Sequence, residues 1–147
     1  MLPIKWEGNT YTDYDELTEL WFEQVRKLED LGVMLIAAAG NNGWQPGLTE
    51  KDIEPVGYKF PGALSSWDDF NVVAVGAVSN VGRYLTWTSP EGGAPKNWPP
   101  AKILVWAQGD NIRTLSKTGK ETSALGTSFS CPQVVCSFSF RCLHLHK

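Results

Sequence analysis

The stretch Val33-Met34-Leu35-Ile36-Ala37-Ala38-Ala39-Gly40-Asn41-Asn42-Gly43 decides the fold class. Seven consecutive apolar residues leave no polar face, so the run suits a strand covered on both sides, as in a parallel sheet, better than a half-exposed one. It closes on a Gly-Asn turn, which would lie at the carboxyl end of a parallel strand, where open α/β sheets gather their ligands. Immediately upstream, Leu17, Leu20, Trp21, Val25, Leu28 and Leu31 recur at three- and four-residue spacing and predict an amphipathic helix over 13–31. Thr12 or Asp13 suits its first turn as a cap, Asp15 and Glu16 suit its positive end, and Gly32 suits the left-handed position beyond its last turn. Helix followed by buried strand is half of a βαβ unit. Phe70 to Ala77 reads as a second buried strand, and shorter strands are expected at Tyr84 to Thr88, Ile103 to Ala107 and Asn111 to Leu115. The class that follows is α/β.

Composition narrows the field around this core. The 147 residues fit one domain, and 42% hydrophobic with 20% charged residues is a globular balance. The net charge is −3, and half of the 16 acidic residues precede Leu31, where they suit a solvated helix face. No basic patch is present, so nucleic acid is not an expected partner. No window approaches the roughly 18 apolar residues of a membrane span, and the N-terminal segment carries no signal-peptide core; no membrane partner is expected and localisation stays open. Cys131, Cys136 and Cys142 are crowded at one end, unlike the spread framework of a disulfide-stapled domain. With His144 and His146 they still lack the close Cys-x2-Cys pairing of zinc modules, so neither a metal nor a cofactor is expected. The Pro- and Gly-bearing tracts 44–66 and 89–100 read as loops within one domain, since the short strands beside them would be unstable alone.

Two motifs could carry chemistry. An amide at Asn41 would face the crevice at the strand end, where it could donate an N–H to a developing oxyanion; taken alone, Gly40-Asn41 is equally an ordinary turn. In Gly126-Thr127-Ser128-Phe129-Ser130-Cys131-Pro132, Pro132 would fall in the first turn of a helix, where its missing N–H costs nothing. Ser128 would then sit at the helix N-terminus, with unpaired backbone N–H groups beside it and Gly126 leaving room for a substrate. A Ser/Thr helix cap explains the same residues without catalysis. The α/β-hydrolase elbow is excluded because Ser130 stands where its second glycine belongs, and a P-loop because Glu121 follows Gly119-Lys120.

Together the motifs are more specific. Gly126-Thr127-Ser128 with Pro132 is similar to the serine motif of the subtilisin-like peptidases, and Ala37 to Gly43 resembles the strand and turn that present their oxyanion asparagine. Phe60-Pro61-Gly62, Val72 to Val78 and Ile103 to Gly109 resemble intervening segments of that family in the same order, with Gln108 where proline is usual. The resemblance implies a three-layer parallel-sheet fold and serine endopeptidase activity on peptide or protein substrates. It implies a nucleophilic Ser128, an oxyanion hole from Asn41 and the Ser128 N–H, and a substrate-pocket wall including Ala38, Ala39 and Gly40, with Phe60, Pro61 and Gly62 beside it.

The sequence also departs from the pattern. The family uses Asp, His and Ser in that chain order, yet the only histidines, His144 and His146, follow Ser128, and no aspartate stands in the expected Asp-[Ser/Thr]-Gly context. The N-terminal part of the domain, with both partners, is expected to be missing. Gln133 stands where the family usually has histidine, and the segment from Cys136 lacks the expected small-residue helix. The expected organisation is a partial peptidase domain over 1–135 and a divergent or misread tail over 136–147. An inactive fragment of a peptidase is one expectation; a non-catalytic pseudoenzyme or interaction module of the same fold is the other.

Overall fold

The computed structural model describes residues 4–6, 9–11, 14–67, 69–92 and 100–145, and the chain divides into two compact units at the Met34–Leu35 bond. In the first unit, β1 (Ile4–Trp6) and β2 (Asn9–Tyr11) form an antiparallel hairpin with Ile4 opposite Tyr11. This hairpin was not legible in the sequence, because three-residue strands are too short to display alternation. The amphipathic helix, α1 (Tyr14–Asp30), keeps within a residue of its expected bounds at each end; the expected caps Thr12 and Asp13 lie outside the described residues. Its far end is as expected. Gly32 adopts φ 73°, the Gly32 N–H donates to the Glu29 carbonyl at 2.7 Å, and the Val33 N–H donates to the Leu28 carbonyl at 2.9 Å. These two crossed bonds satisfy carbonyls that the helix end leaves open.

The second unit is built on β3 (Leu35–Ala38), β4 (Val72–Val78) and β5 (Val105–Gln108), all parallel, in the order β3-β4-β5. The buried strand expected from Val33 starts two residues later. The Val33 N–H is already committed to the end of α1, so ladder pairing begins at Leu35 opposite Val72, and Val33 and Met34 are exposed. β4 is the most buried strand, as a central parallel strand should be. Its interior Gly76 has a packing reason: a side chain there would press on the Trp106 ring of β5, 2.5 Å from Cε3. Ala39, Val56, Ala74, Ala101 and Ile103 form a buried cluster with Trp106 packed against it.

The strand expected over Tyr84 to Thr88 is not one. Tyr84 makes a single bridge to Val78, and the following backbone turns, the Thr88 N–H donating to the Leu85 carbonyl. The Leu85 N–H donates to the Ala77 carbonyl at 3.2 Å, and the Trp87 carbonyl accepts from the Gly43 N–H. β6 (Ile112–Leu115) and β7 (Glu121–Ala124) form an antiparallel hairpin, of which β6 was legible and the polar Glu121-Thr122-Ser123-Ala124 was not. α2 (Thr127–Leu145) then packs on β3, β4 and β5, burying Thr127, Ser130 and Val134 on one stripe. Pro132 is the sixth residue of this helix rather than part of its first turn. Having no N–H, it leaves the Ser128 carbonyl without the usual i+4 donor. α2 runs without a break across 135/136. No helix among the described residues is long and apolar enough to cross a membrane.

Candidate active site

Asn41 and the start of α2 are brought together by the sheet. Asn41 stands just past the end of β3, and the Thr127 N–H and Thr127 Oγ1 both donate to Asn41 Oδ1, at 2.9 and 3.0 Å. The Thr127 hydroxyl in turn accepts from the Gly40 N–H at 3.2 Å. Because a backbone N–H can only donate, the Asn41 atom facing it must be the oxygen. The amide is therefore oriented, with Nδ2 left as its free donor among the described residues. A side chain on Gly126 would lie 3.2 Å from that Nδ2, and Gly126 has φ 139°, so both space and backbone call for glycine.

Ser128, the second residue of α2, is exposed. Its neighbours' amides are occupied, Thr127's by Asn41 and Phe129's by the Gly126 carbonyl at 3.0 Å. The Ser128 N–H lies between them at the positive end of the helix, where first-turn donors have no intrahelical acceptor. An exposed hydroxyl at a helix N-terminus thus follows directly on Thr127, the residue that orients the Asn41 amide; donors of this kind are what an acyl-transfer oxyanion requires.

The turn 40–43 is held by residues 87–89, where the expected strand Tyr84 to Thr88 meets the expected loop from Ser89. Ser89 is fully buried; its Oγ accepts from the Asn42 N–H at 3.1 Å and its N–H donates to the Gly40 carbonyl at 2.9 Å. The Gly43 N–H donates to the Trp87 carbonyl at 2.9 Å, and a side chain at Gly43 would collide with the Thr86 and Thr88 carbonyl oxygens. Ser89 and Thr127 therefore position Asn41, and neither stood out in the sequence as more than a loop or motif residue.

Of the residues the resemblance assigned to substrate, Ala38 and Gly40 are partly exposed, as are Phe60 and Pro61, which are joined by a cis peptide bond. Gly62 is buried against β3, the position of an added Cβ lying 3.7 Å from the Ala38 carbonyl oxygen. Ala39, one residue past β3, is fully buried in the core cluster, its N–H donating to the Val75 carbonyl of β4 at 2.9 Å. Its side chain is not part of an accessible wall. A separate cavity of about 380 Å³ opens between β5 and α2, lined by Val105, Trp106, Val134 and Phe138 among others, and none of these assigned residues borders it.

The two departures from the family pattern touch. Gln133 Nε2 donates to the Gln108 carbonyl at 2.7 Å and to the Phe129 carbonyl at 2.8 Å, while Gln108 Nε2 donates to the Asp110 carbonyl at 3.0 Å. The end of β5 is thereby tied to the turn of α2 behind Ser128. Cys131 is no rival nucleophile: its thiol donates to the Ile36 carbonyl at 3.4 Å, and burial pushes its pKa above the ordinary value.

Among the described residues, no histidine stands near Ser128. On a helix rising about 1.5 Å per residue, His144 stands roughly 24 Å along α2 from Ser128. His146 lies outside the described residues.

Comparison with known proteins shows the family and the fold. The subtilase family matches residues 7–138, and the chain belongs to it. Among solved structures, the prenylagaramide maturation protease PagA is similar with a TM-score of 0.56 and 28% identity over 78% of this chain and 34% of its own. A psychrophilic protease, S41, is similar with a TM-score of 0.51 and 28% identity over 76% of this chain and 34% of its own. The PatG macrocyclase, at 20% identity, shares the fold with a TM-score of 0.55 over 91% of this chain and 32% of its own. The chain thus spans about a third of the length of these structures. No curated protein matches the sequence. The fold is the parallel α/β fold of subtilisin-like proteases, and the family is one of serine peptidases.

Proposed function

We propose that this chain supplies the nucleophile and oxyanion hole of a subtilisin-like serine endopeptidase. Ser128 Oγ attacks the carbonyl carbon of a peptide bond, and the resulting oxyanion is held by Asn41 Nδ2 and the Ser128 N–H. The observation that carries this reading is the pair of hydrogen bonds from Thr127 to Asn41 Oδ1, which leaves the amide donor free beside an exposed serine at a helix N-terminus.

Acyl transfer also needs a base to take the serine proton. His144 stands far along α2 from Ser128, and no histidine precedes Ser128 in the sequence, so on this reading the chain by itself is an incomplete and nearly inactive site. The base and its orienting carboxylate belong to the N-terminal part of a complete catalytic domain. The test is labelling with a serine-directed fluorophosphonate, read by peptide mapping, together with turnover of a peptide substrate. Slow labelling confined to Ser128, with negligible turnover, is expected; robust turnover lost in Ser128→Ala would overturn the incompleteness. Labelling spread over other serines would overturn the assignment of Ser128.

The second reading, a non-catalytic module of the same fold, is favoured by the same lack of a base. Restoration of turnover by a separately expressed N-terminal half of a subtilase domain would rule it out.

A further inference from the structure

Between the two wall segments assigned to substrate, 38–40 and 60–62, stands a cation to which neither the resemblance nor the proposed mechanism gives a role. Lys59 immediately precedes the cis Phe60–Pro61 bond, and its stem lies along Gly40: a Cβ at Gly40 would sit 3.4 Å from Lys59 Cε and 3.5 Å from Lys59 Cγ. Its ammonium is paired with the Glu54 carboxylate. Backbone bonds fix the segment on both sides. The Glu54 N–H donates to the Asn42 carbonyl at 2.9 Å, the Lys59 N–H to the Val56 carbonyl at 2.9 Å, and the Ala63 N–H to the Lys59 carbonyl at 2.7 Å.

The two partners are not equally held. The Lys59 side chain is 25% exposed and packs on Gly40, whereas that of Glu54 is 46% exposed. The cation is the built-in member of the pair and the carboxylate the one that can swing away. A half-buried ammonium tolerates exchange of one carboxylate for another, but loss of its partner to a neutral or cationic group leaves it uncompensated.

We infer that Lys59 makes this wall selective for an acidic substrate side chain, aspartate or glutamate, which takes the place of Glu54. This rests on the peptidase reading of the site, since it requires a peptide to lie along 38–40.

The test is titration of the 147-residue chain with three capped tetrapeptides differing only in one residue, Glu, Gln or Lys, followed by backbone amide shifts in NMR. The Glu peptide is expected to bind about two- to fivefold more tightly than the Gln peptide, the size of a partly exposed charge pair, and the Lys peptide least. Lys59→Gln should abolish the preference, and Glu54→Gln, which removes the competing carboxylate, should enlarge it. Shifts at Gly40 and Asn41 that are equal for all three peptides, or a preference that survives Lys59→Gln, would overturn the inference while leaving the peptidase reading intact. If none of the peptides perturbs 38–41 or 59–62, the substrate-cleft reading itself fails, and the inference with it.

Discussion

Asn41 performs two tasks with opposite ends of one amide, and substitution can separate them. Oδ1 caps α2 through Thr127, and Nδ2 is the proposed oxyanion donor. Asn41→Ala should cost about 1–3 kcal/mol, because it strips the acceptor from a Thr127 N–H and hydroxyl in a residue only 1% exposed. Asn41→Asp retains an acceptor, and a negative one beside a helix N-terminus, so its urea midpoint should stay near wild type. Both variants lose the donor. In a complemented, active form, each should therefore lower turnover by roughly 10²–10³, and loss in the alanine variant alone would show that only the cap matters. Ser130 offers a contrasting case. Its hydroxyl is fully buried, has no hydrogen-bond partner among the described residues and lies against Gly109. Ser130→Ala should raise stability by about 1 kcal/mol, seen as a higher unfolding midpoint, since it removes an unpaired polar group from the core.

At the level of elements, α2 is the piece on which everything else depends, because one helix carries Ser128 at its start and its burial stripe into the sheet. Its cysteines should report that packing. Cys131 bonds the Ile36 carbonyl and its thiol pKa is raised by burial, whereas Cys136 is exposed. Alkylation with iodoacetamide near pH 8, followed by peptide mapping, should modify Cys136 well before Cys131; equal rates would mean that α2 is not seated on β3. The sign of the pH effect follows. A thiol kept protonated by the fold contributes stability that is fully present below its ordinary pKa of 9.0 and is lost as pH rises through the higher folded value. Unfolding of the native chain should therefore become easier above about pH 9, and that part of the pH dependence should vanish in Cys131→Ala.

For the molecule as a whole, the open flanks of the sheet matter more than any single contact. Among the described residues β3 and β5 each pair on one side only, and an apolar cavity of about 380 Å³ lies beside β5. Leu104, Leu115 and Leu125 are also exposed. Unpaired strand edges and apolar patches of this kind invite association. The isolated chain should bind an apolar fluorescent dye and show concentration-dependent association in sedimentation, both diminishing when a complementing N-terminal half is added. A monodisperse monomer that binds no dye would show instead that the flanks are adequately covered.

The sequence by itself determined what is local. Apolar runs at Leu35 to Ala38 and Val72 to Val78 and the 3.6-residue period of α1 are properties of neighbouring residues, as are the turn-forming Gly40-Asn41 and the Gly126-Thr127-Ser128 motif, so they could be read without a partner in view. What it could not show were relations between residues far apart in the chain. Whether Tyr84 to Thr88 becomes a strand or a brace depends on the turn 40–43 that claims its hydrogen bonds. The role of Thr127 depends on Asn41, 86 residues away. Gln108 and Gln133 looked like two separate departures until their contact appeared. Hydrogen bonds and close contacts are settled by distance in space, and only the tertiary structure supplies that distance.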